Sequence, residues 1–352
     1  MKERSFSARL LTWWDKHGRK DLPWQHPRTP YRVWVSEIML QQTQVKTVIP
    51  YFKRFIETFP DVQSLAAAST DDVLALWSGL GYYARARNLH KAAGICSTDF
   101  DSILPDTPQA LATLPGIGQS TANAIYSQAF DQPAVVLDGN VKRVLSRFRA
   151  VAGWPGKPGA HKALWGIAED LLPDSRGADY TQAIMDLGAT LCTRTQPACS
   201  DCPVKKDCRA YLDDSIGDFP ASRPKIKITE KTFQMLILQD GDGRILLEHR
   251  PPTGIWGGLW SLPANDSSES PDQRLGVNSD DLKPLPDLQH QLTHMRMTIQ
   301  PVIGEVTLMA NGVECSGELN WFAQEEWQAL GLPKPVRQLL NKYATTVHED
   351  DQ

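Results

Sequence analysis

The sequence lacks long apolar runs and has little cysteine, six residues among 352. A helix that spans a bilayer needs about 20 consecutive apolar residues, and no segment approaches that length. The first residues, MKERSFSARLLTWWDKHG, have no apolar stretch followed by a small-residue cleavage site. They predict an amphipathic helix and not a signal peptide. We therefore expect a cytoplasmic protein without membrane contact, whose cysteines are reduced.

A strong excess of charge of one sign is also missing, since the net charge is only −4. This value hides an asymmetry between the two parts of the chain. Residues 1–212 carry 25 Lys and Arg against 20 Asp and Glu, a balance of +5. Residues 213–352 carry 12 against 21, a balance of −9. If the split is not chance, the N-terminal part is where contact with a nucleic acid is expected.

The N-terminal part has apolar residues at helical spacing throughout. Turn signals separate the predicted helices, and Asp106 and Ser120 are predicted N-caps. The predicted helices lie near 5–17, 30–42, 43–59, 70–78, 84–95, 108–113, 119–129, 139–150, 161–172 and 180–191.

The C-terminal part has a different pattern, and the length of the chain suggests two or three domains. Residues 213–230 are polar, contain two prolines and predict a linker. A polar stretch at 264–281 predicts a loop, and a helix is predicted near 324–343. Together with the predicted strands, this pattern indicates an α+β domain over 231–345, after a helical domain over 1–212. The predicted strands are 232–239, 244–249, 297–303 and 319–323.

Four of the six cysteines fall within 17 residues in the spacing C-x6-C-x2-C-x5-C, namely Cys192, Cys199, Cys202 and Cys208. Disulfides are disfavoured in a reducing compartment. A structural zinc site more often shows two C-x2-C pairs. The single compact run favours a 4Fe–4S cluster. Because no flavin or nicotinamide motif accompanies it, we favour a structural role for the cluster. Cys96 and Cys315 are isolated, and we interpret both as ordinary residues.

A glycine turn and an aspartate upstream of the cysteines suggest contact with phosphate and a catalytic site. The turn is Leu-Pro-Gly-Ile-Gly at 114–118, whose Gly116 and Gly118 precede a predicted helix. Glycine lets the backbone approach a phosphate, and a helix start offers free N–H groups. Asp138 follows in the segment VLDGNVKR. Asp138 could also be only an N-cap.

These motifs, taken together, resemble those of a known enzyme family. The order of LPGIG, VLDGNVKR and the four-cysteine loop resembles the helix-hairpin-helix DNA glycosylases of the endonuclease III superfamily. The segments SEIMLQQTQV at 36–45 and GLGYYARARN at 79–88 resemble the adenine DNA glycosylase (MutY) branch. The resemblance implies a mainly α helix-hairpin-helix glycosylase core with a 4Fe–4S loop, followed by a smaller α+β Nudix-like domain. It also implies an enzyme that removes adenine mispaired with 8-oxoguanine or guanine in double-stranded DNA. We expect the protein to be a monomer.

Two carboxyl groups suit such chemistry, which needs an acid for the leaving base and a carboxylate for the cationic sugar. Glu37 lies on a predicted helix among apolar neighbours, where desolvation raises the pKa of a carboxyl and keeps it protonated. The resemblance implies that Glu37 protonates adenine at N7 and that Asp138 stabilises the cation or forms a covalent adduct. Asn140 is expected to orient Asp138. A structural role of Glu37 in a buried ion pair is the alternative.

The residue just past the glycine turn bears on the outcome of the reaction. Bifunctional relatives carry a lysine there, which forms a Schiff base and then breaks the strand. This chain has Ser120, and a hydroxyl cannot form an imine. We therefore expect a monofunctional glycosylase, in which Lys142 contacts a phosphate.

A base inside a duplex is out of reach, so the adenine must be flipped out of the stack. By resemblance, Gln41 and Tyr82 intercalate, and the residues touching the opposite base are Gln42, Thr43 and Leu80. The residues expected to line the adenine pocket are Leu22, Trp24 and Gln182. Core packing is the alternative for Trp24 and for Tyr82.

The C-terminal domain resembles a Nudix fold that has lost its catalytic box. Residues 244–263 match the start of that fold, but ANDSSESPDQRLG follows where a magnesium-binding R-E-x-x-E-E helix is needed. The resemblance implies recognition of 8-oxoguanine through a Phe-Ser-His hairpin. This chain has Leu292-Thr293-His294 there, so the aromatic contact is in doubt. A plain surface hairpin is the alternative for His294.

Three other functions are disfavoured by features of the sequence. An oxidised-pyrimidine glycosylase with lyase activity is disfavoured by Ser120, the MLQQTQ run and the Nudix-like domain. A catalytically silent iron–sulfur DNA-binding protein is disfavoured because Glu37 and Asp138 are both present. A nucleotide pyrophosphohydrolase is opposed by the missing Nudix box.

Overall fold

The structure is a computed structural model that describes residues 5–224, 228–266, 275, 277–306 and 318–344. Two compact units are present. The first unit contains Met1–Ala67 and Asn88–Lys225, and the second contains Ala68–Arg87 and Ile226–Gln352. The predicted domain limits of 1–212, 213–230 and 231–345 stay a prediction, but the grouping of 68–87 with the C-terminal unit was not expected. Among the described residues, no helix is both long and apolar enough to cross a membrane.

Helices make up most of the chain before residue 225. In chain order they are α1 (Phe6–His17), α2 (Pro30–Leu40), α3 (Val45–Thr58), α4 (Val62–Ala67), α5 (Thr70–Trp77), α6 (Ala84–Asp99), α7 (Pro108–Leu111), α8 (Gln119–Phe130), α9 (Gly139–Phe148), α10 (Pro158–Asp170), α11 (Gly177–Asp186) and α12 (Arg209–Leu212). Every predicted helix has a counterpart, whereas α4 and α12 were not predicted. The segment predicted to be helical to 191 is an α-helix only to Asp186 and continues as a π-helical turn over Leu187–Leu191.

Both predicted N-caps are wrong. The N-cap of α7 is Thr107, whose hydroxyl accepts from the N–H of Ala110 at 3.3 Å, and not Asp106. The N-cap of α8 is Gly118, which leaves Ser120 inside the first turn. The Ser120 hydroxyl instead accepts from the backbone N–H of Leu137 at 2.9 Å. The Ser120 hydroxyl therefore binds a residue outside its helix, Leu137, instead of capping the helix locally as predicted.

One apolar cluster of the first unit lies where α1, α9, α10 and α11 meet. At its edge a buried carboxylate, Asp186 of α11, is bonded to α1 and to the segment that follows α1. Its oxygens accept from Trp14 Nε1 at 3.1 Å, from the Arg19 guanidinium at 2.6 Å and from Gln182 Nε2 at 2.7 Å. Because Asp186 is 1% exposed, these donors are what make the burial of its charge tolerable.

The second unit is built on a mixed sheet. Its strands are β1 (Thr229–Gln239), β2 (Ile245–His249), β3 (Trp260–Ser261), β4 (Ala264–Asp266), β5 (Lys283–Pro284), β6 (Leu288–Gln291), β7 (Met295–Glu305) and β8 (Leu319–Phe322). The main order is β3-β2-β1-β7-β5, with β4 on β1, β6 on β7 and β8 on β2. Strands β1 and β7 are parallel, from Thr229 opposite Met295 to Gln239 opposite Glu305, and the other pairs are antiparallel.

The alternation along β1 buries both faces of the sheet. Phe233, Met235 and Ile237 face one apolar cluster, and Leu236 and Leu238 face the other. The four predicted strands correspond to β1, β2, β7 and β8. The single helix predicted near 324–343 is instead two helices, α13 (Gln324–Ala329) and α14 (Lys334–Tyr343). The segment between them contains a glycine and a proline, both of which disfavour a continuous helix.

The predicted loop at 264–281 is only partly described. Its first residues form β4, and its last form a 3-10 turn over Ser279–Asp281. Most of the rest of this loop lies outside the described residues. Cys315, which is elsewhere in the chain, also lies outside them.

Helix α5 and the turn after it pack against the sheet domain of the second unit. Asp71 Oδ2 accepts from Trp260 Nε1 at 3.3 Å, and the Ser78 hydroxyl donates to the Leu332 carbonyl at 3.1 Å. A Cβ on Gly331 would lie 3.0 Å from Leu74 Cβ, so the two backbones are close. These contacts explain why 68–87 groups with a part of the chain that is distant in sequence.

Candidate active site and cysteine pocket

Helix α8 begins at the predicted glycine turn. Gly116 has a φ of +80°, and a Cβ there would lie 2.9 Å from Asn88 Cβ, so both backbone conformation and space require glycine. Gly118 is exposed and caps α8. The exposed helix start has the free N–H groups that a phosphate contact needs.

Glu37 lies on α2, which begins at Pro30 after the N-cap Thr29. The Glu37 carboxyl is held by a residue of α8, because Gln128 Nε2 donates to Glu37 Oε1 at 2.6 Å. Burial is the largest cause that raises the pKa of Glu37, the charge of Asp138 adds to the rise, and the bond from Gln128 opposes it, which together place the pKa at about 7. A substantial fraction of Glu37 therefore keeps its proton near neutral pH.

Asp138 is the N-cap of α9, which is the structural position given as its alternative. Its Oδ1 accepts from the N–H of Val141 at 2.7 Å, and its Oδ2 faces Asn140 Nδ2 at 3.4 Å. Burial raises the pKa of Asp138, and the backbone N–H groups, Arg143 and the Asn140 amide oppose this. The cap also orients the carboxyl, which does not exclude a chemical role. The position expected for Asn140 agrees with the observed contact.

The extended segment before Asp138 is attached to α8 at two points. Asn123 Nδ2 donates to the Val135 carbonyl at 2.7 Å, and the Leu137 N–H donates to the Ser120 hydroxyl at 2.9 Å. Helix α8 therefore positions the chain that leads into Asp138 as well as the Glu37 carboxyl. Since the charge of Asp138 raises the pKa of Glu37, the two predicted carboxyls lie near enough to interact.

The four predicted cysteine ligands line one pocket. Its other walls are mainly apolar and come from α9, from the π-helical turn and from the cysteine loop, including Val144, Phe148, Leu187, Leu191 and Val204. Arg147 reaches this pocket, with Nη1 3.4 Å from Cys192 Sγ, while the Cys208 thiol faces the Arg147 carbonyl at 3.5 Å. Arg147 is 3% exposed, so a buried cation stands beside the thiols.

The donor chemistry of this pocket fits a thiolate-bound metal group, because four thiols line one cavity whose other walls are mainly apolar. In the described part of the chain, no three Cys, His, Asp or Glu side chains are grouped closely enough to hold a metal ion. Burial raises the pKa of Cys202 to about 12, so a cationic group is needed to displace the proton.

Arg143 joins the active-site turn to the cysteine loop. Its Nη2 donates to Asn140 Oδ1 at 2.8 Å and to the Gly188 carbonyl at 2.7 Å, and its Nε donates to the Cys192 carbonyl at 2.8 Å. A Cβ on Gly188 would lie 2.6 Å from Asn140 Cβ, so only glycine permits this approach. Asp138 and the cysteine pocket are therefore parts of one hydrogen-bonded structure.

The residues predicted to line the adenine pocket are all buried in the first unit. Trp24 is 2% exposed and packs edge-on against Phe52, with the ring centroids 5.4 Å apart. This is the core packing given as the alternative for Trp24. Leu22 is also buried, and Gln182 is held by Asp186. Their contact with adenine stays a prediction.

The residues predicted to meet the opposite base follow α2. Gln41 Nε2 lies 3.5 Å from the Thr121 hydroxyl of α8, and the Thr43 N–H donates to the Leu40 carbonyl at 3.2 Å. Gln42 is exposed and has a φ of +58°, a conformation that is costly for a residue with a side chain. Such strain is frequent at functional sites.

Tyr82 also has a positive φ, +51°, and its side chain is 47% exposed, so it is not a core aromatic. Arg85 lies beside it, with the guanidinium 5.2 Å from the Tyr82 ring and 5.5 Å from the Trp77 ring. Both Arg85 Nη2 and Trp77 Nε1 donate to the Gly81 carbonyl, at 3.0 and 3.1 Å. These contacts stabilise the conformation of the turn. Leu80, in contrast, is buried.

Thr293 and His294 form the turn between β6 and β7, and both are exposed. The Tyr82 hydroxyl lies 3.2 Å from the Thr293 hydroxyl. The hairpin predicted from the sequence and the predicted intercalating tyrosine are therefore adjacent within the second unit.

Four residues that contact the predicted site residues were not predicted from the sequence: Gln128, Asn123, Arg85 and Arg147. Three polar residues of α8, Ser120, Asn123 and Ser127, recur at helical spacing next to Gln128, on faces that are otherwise packed. That pattern was available in the sequence. Arg85 and Arg147 gave no comparable signal, because arginine at helical spacing usually faces solvent.

Glu37→Gln is expected to stabilise the protein in a pH-dependent manner. The folded-state pKa of about 7 exceeds the ordinary value of 4.5, so the wild type loses stability as pH rises from 4.5 to 7. The amide has no charge to bury, and its oxygen can still accept from Gln128. At pH 8 the variant should be more stable by about 1–3 kcal/mol, and near pH 4.5 the two should be equal. Urea unfolding at both pH values measures this.

Glu57→Gln is the matched control, because Glu57 is exposed on α3 and should give the same small effect at both pH values. If Glu37→Gln is no more stable than the wild type at pH 8, the carboxyl is not desolvated as described.

The chain is similar to known DNA repair proteins over both units. Residues 35–170 match the HhH-GPD superfamily base excision DNA repair protein family, and residues 234–342 match the NUDIX domain family. Among solved structures, a thermostable thymine-DNA glycosylase superposes with a TM-score of 0.52 at 28% identity, covering 59% of this chain and 95% of that one. An endonuclease III–DNA complex superposes at 21% identity with a TM-score of 0.50, covering 59% of this chain and 94% of that one. It supports the same fold.

Curated relatives extend the similarity over nearly the whole chain. The adenine DNA glycosylase of Buchnera aphidicola subsp. Baizongia pistaciae is 36% identical over 343 residues, covering 96% of each chain. The human adenine DNA glycosylase is 32% identical, covering 96% of this chain and 74% of its own. The predicted fold class, a helix-hairpin-helix core followed by a Nudix-like domain, is confirmed. The chain belongs to the adenine DNA glycosylase family and is a base-excision-repair glycosylase.

Proposed function

We propose that this enzyme hydrolyses the N-glycosidic bond of adenine mispaired with 8-oxoguanine or guanine in double-stranded DNA, acting as a monofunctional monomer. The observation that carries the proposal is the pair of carboxyls whose partners lie on α8, Glu37 of α2 and Asp138 at the start of α9. Glu37 has a pKa of about 7 and is available as an acid. Burial raises the pKa of Asp138, and the donors that bind its carboxyl oppose this rise by favouring the ionised form.

The reaction needs one proton and one counter-charge. Glu37 donates its proton to N7 of the flipped adenine, and the glycosidic bond breaks with its electron pair leaving on the base. The positive charge that remains on the sugar is stabilised by the Asp138 carboxylate. A water molecule then bonds to C1′ and loses a proton, which leaves an abasic site. The Asn140 amide keeps the Asp138 carboxylate oriented.

Ser120 supports the monofunctional outcome. Its hydroxyl already accepts from the Leu137 N–H, and it cannot form an imine with the sugar. Lys142 lies on the first turn of α9, where a phosphate contact suits both its charge and the helix N-terminus. The glycine turn, through Gly116 and Gly118, is proposed to bind another phosphate of the same backbone.

A 4Fe–4S cluster is proposed as the cofactor, held by Cys192, Cys199, Cys202 and Cys208. When bound, it would supply metal–thiolate bonds that cross-link the loop from α11 to α12. The chain contributes Arg147 as a positive neighbour of the thiolates. It also contributes a basic surface next to the ligands, Lys205, Lys206 and Arg209, for phosphate.

Residues proposed to recognise the mispair occur in each unit. In the first unit, Gln41, Gln42 and Thr43 follow α2. In the second, the exposed Tyr82 ring offers a stacking face beside Thr293 and His294. Leu80 is buried and would act by supporting this turn. The adenine would enter a pocket near Leu22, Trp24 and Gln182 after flipping.

A single-turnover assay tests the proposed activity. The full-length protein is mixed in excess with a duplex containing adenine opposite 8-oxoguanine, without added magnesium, and the products are separated before and after alkali. Strand breaks should appear only after alkali, because an abasic site is alkali-labile and the enzyme has no imine-forming lysine at position 120.

Breaks before alkali would mean that the enzyme is a lyase. Tight binding without product would favour a silent DNA-binding protein or a different target base. A requirement for added magnesium would contradict a mechanism based on two carboxyls.

Thr293→Val should reduce discrimination between 8-oxoguanine and guanine opposite adenine. Valine keeps the shape but loses the hydroxyl that contacts Tyr82, so the rate with 8-oxoguanine should fall by about 5- to 10-fold. The rate with guanine should change less. Thr229→Val, an exposed position at the start of β1, is the control. Equal losses on both duplexes would argue against a role of this hydroxyl in reading the opposite base.

A further inference from the structure

We propose that Gln128 is a positioning residue for the general acid, holding Glu37 through Oε1 so that Oε2 carries the proton to the base. The inference rests on the proposed function of Glu37 and adds a role to a residue outside the catalytic pair. It follows from the geometry around one carboxyl group.

The contact is short and enclosed. Gln128 Nε2 lies 2.6 Å from Glu37 Oε1, and Gln128 itself is 4% exposed. In the observed orientation the Gln128 N–H points at Oε1, so a proton on that oxygen would clash with the donor hydrogen. When Glu37 is protonated, the proton therefore resides on Oε2. Within the part of the chain that the structure describes, Oε2 has no hydrogen-bond partner of its own, so it is the oxygen available to the substrate.

The bond also acts on one protonation state more than on the other. An N–H donor stabilises the ionised carboxylate more than the neutral acid, so it lowers the pKa of Glu37, against the rise caused by burial. Without this bond the acid would hold its proton to higher pH. It would also have more freedom to rotate, which places the proton less accurately.

The elements that pack against α2 bring few charged groups that could change the pKa of Glu37. Helix α2 packs against α3, α8 and the 3-10 turn over Pro23–Gln25. Helix α8 and that turn contain no charged residue. The charged residues of α3 are exposed: Lys46, Lys53, Arg54 and Glu57. The titratable group that does act on Glu37 is Asp138, which raises its pKa. Gln128 and Asp138 therefore act on the same carboxyl in opposite directions.

The test is the pH dependence of single-turnover adenine release. Two variants remove the contact, Gln128→Met with a side chain of similar length and Gln128→Asn with a shorter amide. Gln132→Met is the matched control, because Gln132 is exposed just after α8. Glu37→Gln is run alongside to show whether the alkaline limb of the wild-type profile belongs to Glu37.

The midpoint of the alkaline limb should move up by about one pH unit in both Gln128 variants. The rate on the plateau below it should fall by about 10-fold, because the proton is placed less accurately. Gln132→Met should match the wild type in both respects. A structural role alone would lower the rate equally at every pH.

Uniform loss with an unmoved limb in the folded variants therefore overturns the inference. An unchanged profile overturns it as well. If the Glu37→Gln variant releases adenine as fast as the wild type, the assignment of the acid fails instead, and with it the proposed mechanism. That result is distinct from a failure of Gln128 alone. Urea unfolding of each variant confirms that it is folded at the pH values used.

Discussion

The structure of this site depends on one helix, α8, holding two carboxyl groups that need opposite protonation states. At its C-terminal end, Gln128 binds the Glu37 carboxyl, and at its N-terminal end, Ser120 and Asn123 hold the strand-like segment that leads into Asp138. The two carboxyls are close enough for the charge of one to raise the pKa of the other. Their different surroundings then separate their roles. Glu37 has one donor in an apolar environment, and Asp138 has backbone donors at a helix N-terminus.

The glycines around α8 show that this arrangement constrains the rest of the first unit. Gly116 allows the tight turn that starts the helix beside Asn88, and Gly188 allows the cysteine loop to approach Asn140. Arg143 then connects Asn140 to the carbonyls of Gly188 and Cys192. The loop that carries the four cysteines therefore also limits the movement of the turn that carries Asp138. The cost is a buried carboxyl at Glu37, which destabilises the fold above neutral pH, as is common for functional groups.

Much of this site could be predicted from the sequence because its parts are local. The LPGIG turn, the VLDGNVKR segment and the cysteine spacing each involve neighbouring residues, and the apolar neighbours of Glu37 indicated its desolvation. The partners of these residues come from distant segments and were missed. Gln128 is 91 residues from Glu37, and Leu137 takes the Ser120 hydroxyl that a local rule had assigned to capping. Strands β3 to β6 are too short for an alternating pattern to be recognised. The association of 68–87 with the C-terminal unit depends on tertiary packing alone.

The mechanism requires that Glu37 is protonated near neutral pH because the fold desolvates it. The most direct measurement is an NMR titration of the free, full-length enzyme with ¹³C-labelled glutamate side chains, in which Glu37→Gln identifies the resonance. We expect one glutamate with a midpoint near pH 7, absent from the variant. If the resonance lost in the variant titrates near 4.5, in the ordinary range of glutamate, the carboxyl is ionised at neutral pH and cannot be the acid described here.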